Sequence, residues 1–496
     1  MPHLRRSGIL LHPTSLPGSD GIGSLGDEAL SFIDFMGSTG QTLWQILPLG
    51  PPGCGNSPYS CFSAFAGNPL LIDLRQLALE GDLNVNELEI FAAADRIDFA
   101  AATAYKLPLL KIAAERFFTS GASQRKEDFW KFCDSTFWLH DYALFAALKV
   151  HFKGKGWNGW PEKLRKRDMS SCSQFSEMLG SEIGFQKYLQ WQFSRQWDRV
   201  KRYANERGIL IIGDAPIFVA HDSADVWCNQ HIFNLDDSGN PTVIAGVPPD
   251  YFSVTGQRWG NPLYRWDVLA AENFVWWLAR IKSDLALYDI LRIDHFRGFE
   301  AYWEIPAKEA TAVKGRWVNG PGYVLFETLK NGLGELPLIA EDLGVITPEV
   351  ERLRDRCGFP GMKILQFAFD SGADNAYLPH NHIPDSVVYT GTHDNDTTRG
   401  WFESLSKEQQ ERVCDYLQAQ PETVLTVLLR TAFASVAKFV IIPIQDILGL
   451  DSSGRMNIPG VADNNWGWRL LPGYAESVSP EELRKLSALY YRNGQQ

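Results

Sequence analysis

The sequence has no basic surplus: 47 Lys and Arg stand against 59 Asp and Glu, a formal charge of −12 over 496 residues. Nucleic acid requires clustered cations to neutralise its phosphates, and adsorption to an anionic membrane requires the same, so neither is an expected partner. Cysteine is sparse, with seven residues, an odd number, and no CxxC pair. That pattern indicates neither a zinc site nor a disulfide framework, and points to the reduced thiols of a cytoplasmic protein. Long apolar runs are also missing. The basic start Met1-Pro2-His3-Leu4-Arg5-Arg6 is followed only by Ile9-Leu10-Leu11, too short for a signal-peptide core. The most apolar stretch, 423–444, is interrupted by Arg430 and Lys438. HExxH, GxSxG and GxxxxGK[ST] do not occur, which removes the corresponding metalloprotease, serine-hydrolase and P-loop readings.

What is present is an ordinary globular composition, 45% hydrophobic and 21% charged, sufficient for a large core. Seventeen Trp accompany 16 Tyr and 29 Phe. Rings that are not core suit flat, half-apolar ligands that need stacking together with hydrogen bonds. Most of the Trp are expected to pack within a helical insertion.

Eight short aliphatic runs end abruptly in polar or glycine residues: 8–13, 42–48, 209–219, 289–298, 337–344, 363–369, 387–395 and 439–448. Continuous apolar runs separated by helical periodicity are how fully buried parallel strands read. Helices are expected over 27–36 and 348–356, the second capped by Thr347 with Pro348 at its first position. Eight strands with intervening helices predict an α/β chain built as a (β/α)8 barrel. The runs are unevenly spaced, so residues 1–496 are read as one barrel carrying a helical insertion at about 75–190. A loop-rich insertion at about 220–275 is expected to lie over the active site.

Barrel enzymes place their chemistry at the C-terminal ends of the strands. Four runs deliver carboxylates there: Asp214, Asp294, the pair Glu341-Asp342, and Asp394. A strand's period of two sets Arg292 and Asp294 on one face, where the guanidinium favours the ionised carboxylate a nucleophile needs. Glu341 follows an apolar stretch, and a drier carboxyl has its pKa raised, as a proton donor requires. An ionised acid beside a protonated one is the equipment of a retaining glycosidase, and Asp394 would stabilise charge on the distorted ring. Gly21-Ile22-Gly23-Ser24-Leu25-Gly26 matches a dinucleotide fingerprint, but no acid for a ribose lies about 20 residues on. His380-Asn381-His382 and His393-Asp394 raise metal chemistry, yet the first run offers only His12 rather than an HxH pair. No metal and no cofactor is therefore expected.

In order along the chain stand Asn56-Ser57-Pro58-Tyr59-Ser60, Ser63-Ala64-Phe65-Ala66-Gly67-Asn68-Pro69 and Gly213-Asp214-Ala215-Pro216-Ile217-Phe218. Gly246-Val247-Pro248-Pro249-Asp250-Tyr251-Phe252, Gly256-Gln257-Arg258-Trp259-Gly260-Asn261-Pro262 and Arg292-Ile293-Asp294-His295-Phe296-Arg297-Gly298 follow. Ala340-Glu341-Asp342-Leu343-Gly344, Thr392-His393-Asp394-Asn395 and Asn465-Trp466-Gly467-Trp468-Arg469 complete the series. With these motifs the chain resembles the 4-α-glucanotransferases called amylomaltases or disproportionating enzymes, relatives of the α-amylases, over essentially its whole length. The resemblance implies Asp294 as nucleophile, Glu341 as acid/base and Asp394 as transition-state stabiliser. It implies that Tyr59, Asp214, Arg292 and His393 line the subsite of the reacting glucose, with Trp259 and His295 towards the acceptor, and that Asp342 and Asp396 are structural. The C-terminal β-domain common in α-amylases is not expected. The implied reaction is transfer of α-1,4-glucan segments from malto-oligosaccharides, or glucans derived from starch or glycogen, to another glucan or to glucose. An α-glucan hydrolase and a non-catalytic glucan-binding protein remain the alternatives.

Overall fold

The computed structural model describes residues 5–249, 253–461 and 463–494; Asp250, Tyr251 and Phe252 of the motif series lie outside the described residues. Its strands, in chain order, are β1 (Arg6–Leu10), β2 (Leu43–Gln45), β3 (Leu210–Pro216), β4 (Val243–Val247), β5 (Gln257–Pro262), β6 (Ile290–Asp294), β7 (Ala301–Pro306), β8 (Arg316–Asn319), β9 (Leu338–Ala340), β10 (Gly361–Ile364), β11 (Ser386–Tyr389) and β12 (Phe439–Pro443). Each of the eight predicted runs contains or overlaps one strand of a single parallel sheet, ordered β10-β11-β12-β1-β2-β3-β6-β9. That order brings the first strand beside the last, as a barrel requires. β9 and β10 meet through the Ala340 N–H donating to Pro360 O at 3.0 Å and the Met362 N–H donating to Asp342 Oδ1 at 2.7 Å. A carboxylate thus stands in for part of the ladder at this seam.

Helices form where periodicity and end signals agree. Asp27–Ser38 carries two acids in its first turn, which suit the positive end of the helix dipole. It buries Phe32, Ile33, Phe35 and Met36, and runs two residues past the predicted stop through Gly37. Pro348–Cys357 begins with Pro at its first position as predicted, although Thr347 makes no side-chain cap bond. It ends at Gly358 with φ +73°, a conformation suited to glycine.

Between β2 and β3 lie seven helices, the last running from Gly180 to Glu206. This helix crosses the boundary expected near residue 190, because its later turns pack against Asp27–Ser38 and β3. Trp197, near its end, is fully buried and donates its indole N–H to Leu287 O at 3.0 Å. The large Trp are not gathered in the insertion: Trp44, Trp227 and Trp277 are fully buried elsewhere, beside Trp157 and Trp197.

The stretch at 220–275, read as loop, contains β4 and β5. They join β7 and β8 in a four-stranded antiparallel sheet ordered β5-β4-β7-β8. Both contributing segments follow the C-terminal ends of barrel strands, so this sheet stands at the mouth of the barrel. Among the described residues no helix is long and apolar enough to cross a membrane.

β1 passes so close to β2 that a Cβ on Gly8 would meet Leu43 O at 2.0 Å and Leu43 Cβ at 2.4 Å. Backbone in a paired strand cannot retreat as a flexible side-chain end can. Gly8→Ala is therefore expected to lower unfolding free energy by at least about 2 kcal/mol, measured by denaturant unfolding. Unchanged stability would show that the two strands part easily.

Candidate active site

The mouth of the barrel gathers side chains that are remote in sequence. Asp214 sits within β3 and Arg292 within β6, which are paired in parallel with Asp214 opposite Arg292. The Arg292 Nη1 donates to both Asp214 oxygens, at 2.8 and 2.7 Å, and its Nη2 lies 3.0 Å from Asp294 Oδ1. The period-of-two reading of Arg292 and Asp294 thus holds. Tyr59 Oη donates to Asp214 Oδ2 at 2.6 Å. Burial, with the Asp214 charge adding, holds that phenol well above its ordinary pKa, so it remains a donor. Burial opposes the charge on Arg292, but Asp214 and then Asp294 outweigh it and keep the guanidinium firmly protonated.

The loop bearing Tyr59 is fixed by the helix Gly180–Glu206. Gln190 accepts from Gly67 N at 2.7 Å and donates to Gly67 O at 2.9 Å, while Gln196 accepts from Asp73 N at 2.7 Å. Buried amides thereby satisfy loop backbone that has no ladder partner. Gly67 permits the approach, since a Cβ there would meet the Phe193 ring at 2.1 Å.

β6 and β9 pair through Arg292↔Ile339 and Ile293↔Ala340, so the next step along the register sets Asp294 beside Glu341. Adjacent strands stand about 4.8 Å apart, which suits the roughly 5–5.5 Å carboxyl spacing of retaining glycosidases. Glu341 is held from its own backbone outward: its N–H donates to Ile293 O at 3.1 Å and its O accepts from Phe296 N at 3.1 Å. Its carboxyl accepts from His295 N at 2.7 Å and Leu343 N at 3.1 Å. The first of these bonds accompanies an unusual backbone, His295 with φ +54°. A left-handed conformation costs a non-glycine residue about 1–2 kcal/mol, and here it coincides with an N–H aimed at the carboxyl. Nothing in the motif pattern signals that turn.

Electrostatics differ from expectation at one carboxyl. Burial raises the pKa of Asp294, and Arg292 only partly opposes it, whereas the sequence reading has Arg292 dominate. The reason is desolvation, which disfavours the charged form before any partner acts. Burial also raises Glu341, and there the neighbouring Asp294 charge adds to the rise. Asp294 therefore releases its proton before Glu341 does.

Asp394 lies across the mouth, its side chain 48% exposed. It is oriented by Asn457 Nδ2 at 2.6 Å on Oδ1 and by Arg455 Nη2 at 2.9 Å on its backbone O. His393 Nε2 stands 3.5 Å from Asp394 Oδ1. The His393 ring stacks on Tyr59 with centroids 5.1 Å apart and tilts against Trp466 at 5.9 Å. Asn457 and Arg455 are absent from the sequence reading; they follow the last strand in a segment with no catalytic pattern. On the other flank Trp259, 39% exposed on β5, meets the His295 ring edge-on at 4.8 Å. His295 is pushed down to about 3 by burial and then by Arg297, so its ring is neutral.

All nine predicted site residues, Tyr59, Asp214, Trp259, Arg292, Asp294, His295, Glu341, His393 and Asp394, thus belong to one linked set of contacts at the mouth. Asp342 and Asp396 take other work: Asp342 pairs with Arg354 and Met362 N, and Asp396 accepts from Ser452 Oγ at 2.7 Å.

A family model described as 4-alpha-glucanotransferase, of glycoside hydrolase family 77, matches residues 11–474. The chain is 51% identical to the 4-alpha-glucanotransferase of Thermus thermophilus and 50% identical to that of a Synechocystis species, over 98% of each chain in both comparisons. Among solved structures it is similar to the amylomaltase from Streptococcus agalactiae in complex with acarbose, with TM-score 0.95 and 40% identity, covering 98% of this chain and 99% of that one. The amylomaltase from Corynebacterium glutamicum shares the fold at TM-score 0.75 and 20% identity, over 99% of this chain and 75% of its own.

Proposed function

The chain belongs to the 4-α-glucanotransferases, and from that premise we propose how its residues divide the reaction. Asp294 attacks the anomeric carbon of the donor glucan while Glu341 protonates the departing glycosidic oxygen. The covalent glycosyl-enzyme is then attacked by the 4-hydroxyl of a second malto-oligosaccharide or of glucose, with Glu341 now taking the proton. The first step trades the glycosidic bond for an ester to Asp294 and the second trades that ester for a new glycosidic bond; each inverts the anomeric carbon, so the net configuration is retained. Asp394 faces the positive charge that develops on the ring. Tyr59, Asp214, Arg292 and His393 hold the reacting glucose, and Trp259 with His295 borders the acceptor, where a half-exposed indole suits a sugar face.

One observation carries this reading: Asp294 and Glu341 follow directly on Ile293 and Ala340, which pair on neighbouring, hydrogen-bonded strands. Transfer rather than hydrolysis is the activity named for the relatives. The bound acarbose of the streptococcal amylomaltase agrees with a malto-oligosaccharide substrate.

The working form needs Asp294 ionised and Glu341 protonated. Activity is lost as pH falls through the first titration of the pair and again as it rises through the second. Burial raises both carboxyls. Both limbs of kcat/KM against pH, followed as glucose released from maltotriose, are therefore expected above the ordinary carboxylate values of about 3.9 and 4.3. An alkaline limb inside the ordinary glutamate range would remove Glu341 from the role of acid.

A further inference from the structure

Under the loop that carries Asp394 lies a cavity of about 30 Å³, lined among others by His12, Leu47, Thr392, His393, Gln445 and Met456. His12 stands two residues beyond the end of β1 and is 6% exposed; His393 is 8% exposed. The Nδ1 atoms of both rings are buried and without a hydrogen-bond partner. Unpartnered buried ring nitrogens are uncommon enough to require an account.

The positions of the protons follow from what each ring faces. His12 is held neutral, pushed down to about 3 by burial, and the Leu47 backbone opposes the fall, as only an acceptor, its carbonyl, would. A carbonyl only accepts, so the single proton of His12 belongs on Nε2, and Nδ1 presents a lone pair. His393 turns Nε2 towards the Asp394 carboxylate, another acceptor, so with one proton on the ring that proton sits on Nε2 and Nδ1 presents a lone pair. Two acceptors cannot bond to each other. A donor with two hydrogens satisfies both, and a polar space above about 10–15 Å³ accommodates a water molecule.

We propose that a buried water donates to Nδ1 of His12 and Nδ1 of His393, and that His12 is thereby a positioning residue for the glucan-transfer reaction. His12 touches no substrate. Through the water it fixes His393 in the tautomer whose Nε2–H points at Asp394 and the reacting glucose. This rests on the proposed reading that His393 lines that subsite.

The test uses the full chain labelled with ¹⁵N-histidine and long-range ¹H–¹⁵N correlation, which reports which ring nitrogen carries the proton. In the wild type both His12 and His393 are expected with protonated Nε2 and unprotonated Nδ1. In His12→Phe, which keeps an aromatic ring and removes the nitrogens, His393 is expected to become a mixture of tautomers. The kcat for maltotriose should then fall about tenfold, the size of one lost hydrogen bond in the transition state, with KM little changed. His12→Asn, which offers a polar group to the same water, should recover part of kcat. Wild-type protonation of His393 at Nδ1 overturns the proposal whether or not the variant folds. So does His12→Phe with an unchanged His393 tautomer and unchanged kcat. Failure of the wider site assignment is recognised separately, by an Asp294→Asn variant that keeps its activity.

Discussion

Asp294→Asn is expected to lower kcat for maltotriose by about four orders of magnitude or more while the protein stays folded, the scale seen when a catalytic nucleophile is removed. The amide nearly matches the carboxylate in shape but cannot form the glycosyl ester, so the first half-reaction has no substitute. Arg292, which faces Asp294 at 3.0 Å, keeps both bonds to Asp214 and is not stranded. Burial already works against the charge on Asp294, and its removal relieves that cost. The melting temperature should accordingly move by only a few degrees. Steady-state turnover and thermal unfolding of one preparation decide the matter. Activity within tenfold of wild type would take the nucleophile's role away from Asp294.

Arg292→Leu should instead strike stability and activity together. The guanidinium is buried and supplies countercharge to Asp214 and Asp294 at once. Leucine leaves two carboxyls in a low-dielectric site with no cation beside them, a change that typically costs about 3–5 kcal/mol. The sign with pH follows from the same cause. Carboxyls stranded by burial bind protons more tightly folded than unfolded, so the deficit is full at neutral pH. It shrinks as pH falls towards the ordinary carboxylate range, where both states are protonated. Denaturant unfolding at pH 7 and pH 4 measures both quantities. A deficit below about 1 kcal/mol at pH 7 would mean that water already screens the site. Arg292→Lys should recover only part of the loss, because one ammonium cannot span two carboxylates as the planar fork does.

The barrel was legible because its eight strands are buried on both faces and therefore read as unbroken aliphatic runs. Runs such as Ile441-Ile442-Pro443 leave little else to infer. The second sheet was not legible. β5 and β8 are only partly buried and carry Gly, Pro, Arg and Trp, and the local pairs β4-β5 and β7-β8 become one sheet only through β4 and β7, roughly fifty residues apart. Local sequence cannot report a partner at that distance.

The carboxylates of the site were visible at the strand ends. Their supports were not, since Asn457, Gln190 and the left-handed turn at His295 depend on how separate elements meet. The balance at Asp294 was misjudged for a related reason. A neighbouring arginine can be read from spacing, whereas the depth of burial opposing it belongs to the folded molecule.

The seam between β9 and β10 has a mechanical consequence. Every closed ring of strands has a weakest joint, and here it is one where a side chain does duty for backbone. Glu341 rides on the strand bordering that joint, but its registration with Asp294 is set by the opposite border, which is fully laddered. Thermal breathing that prises the ring apart therefore carries the proton donor and the nucleophile together as one unit. The gap that fixes the stereochemical outcome lies on the stiff side of the fault line.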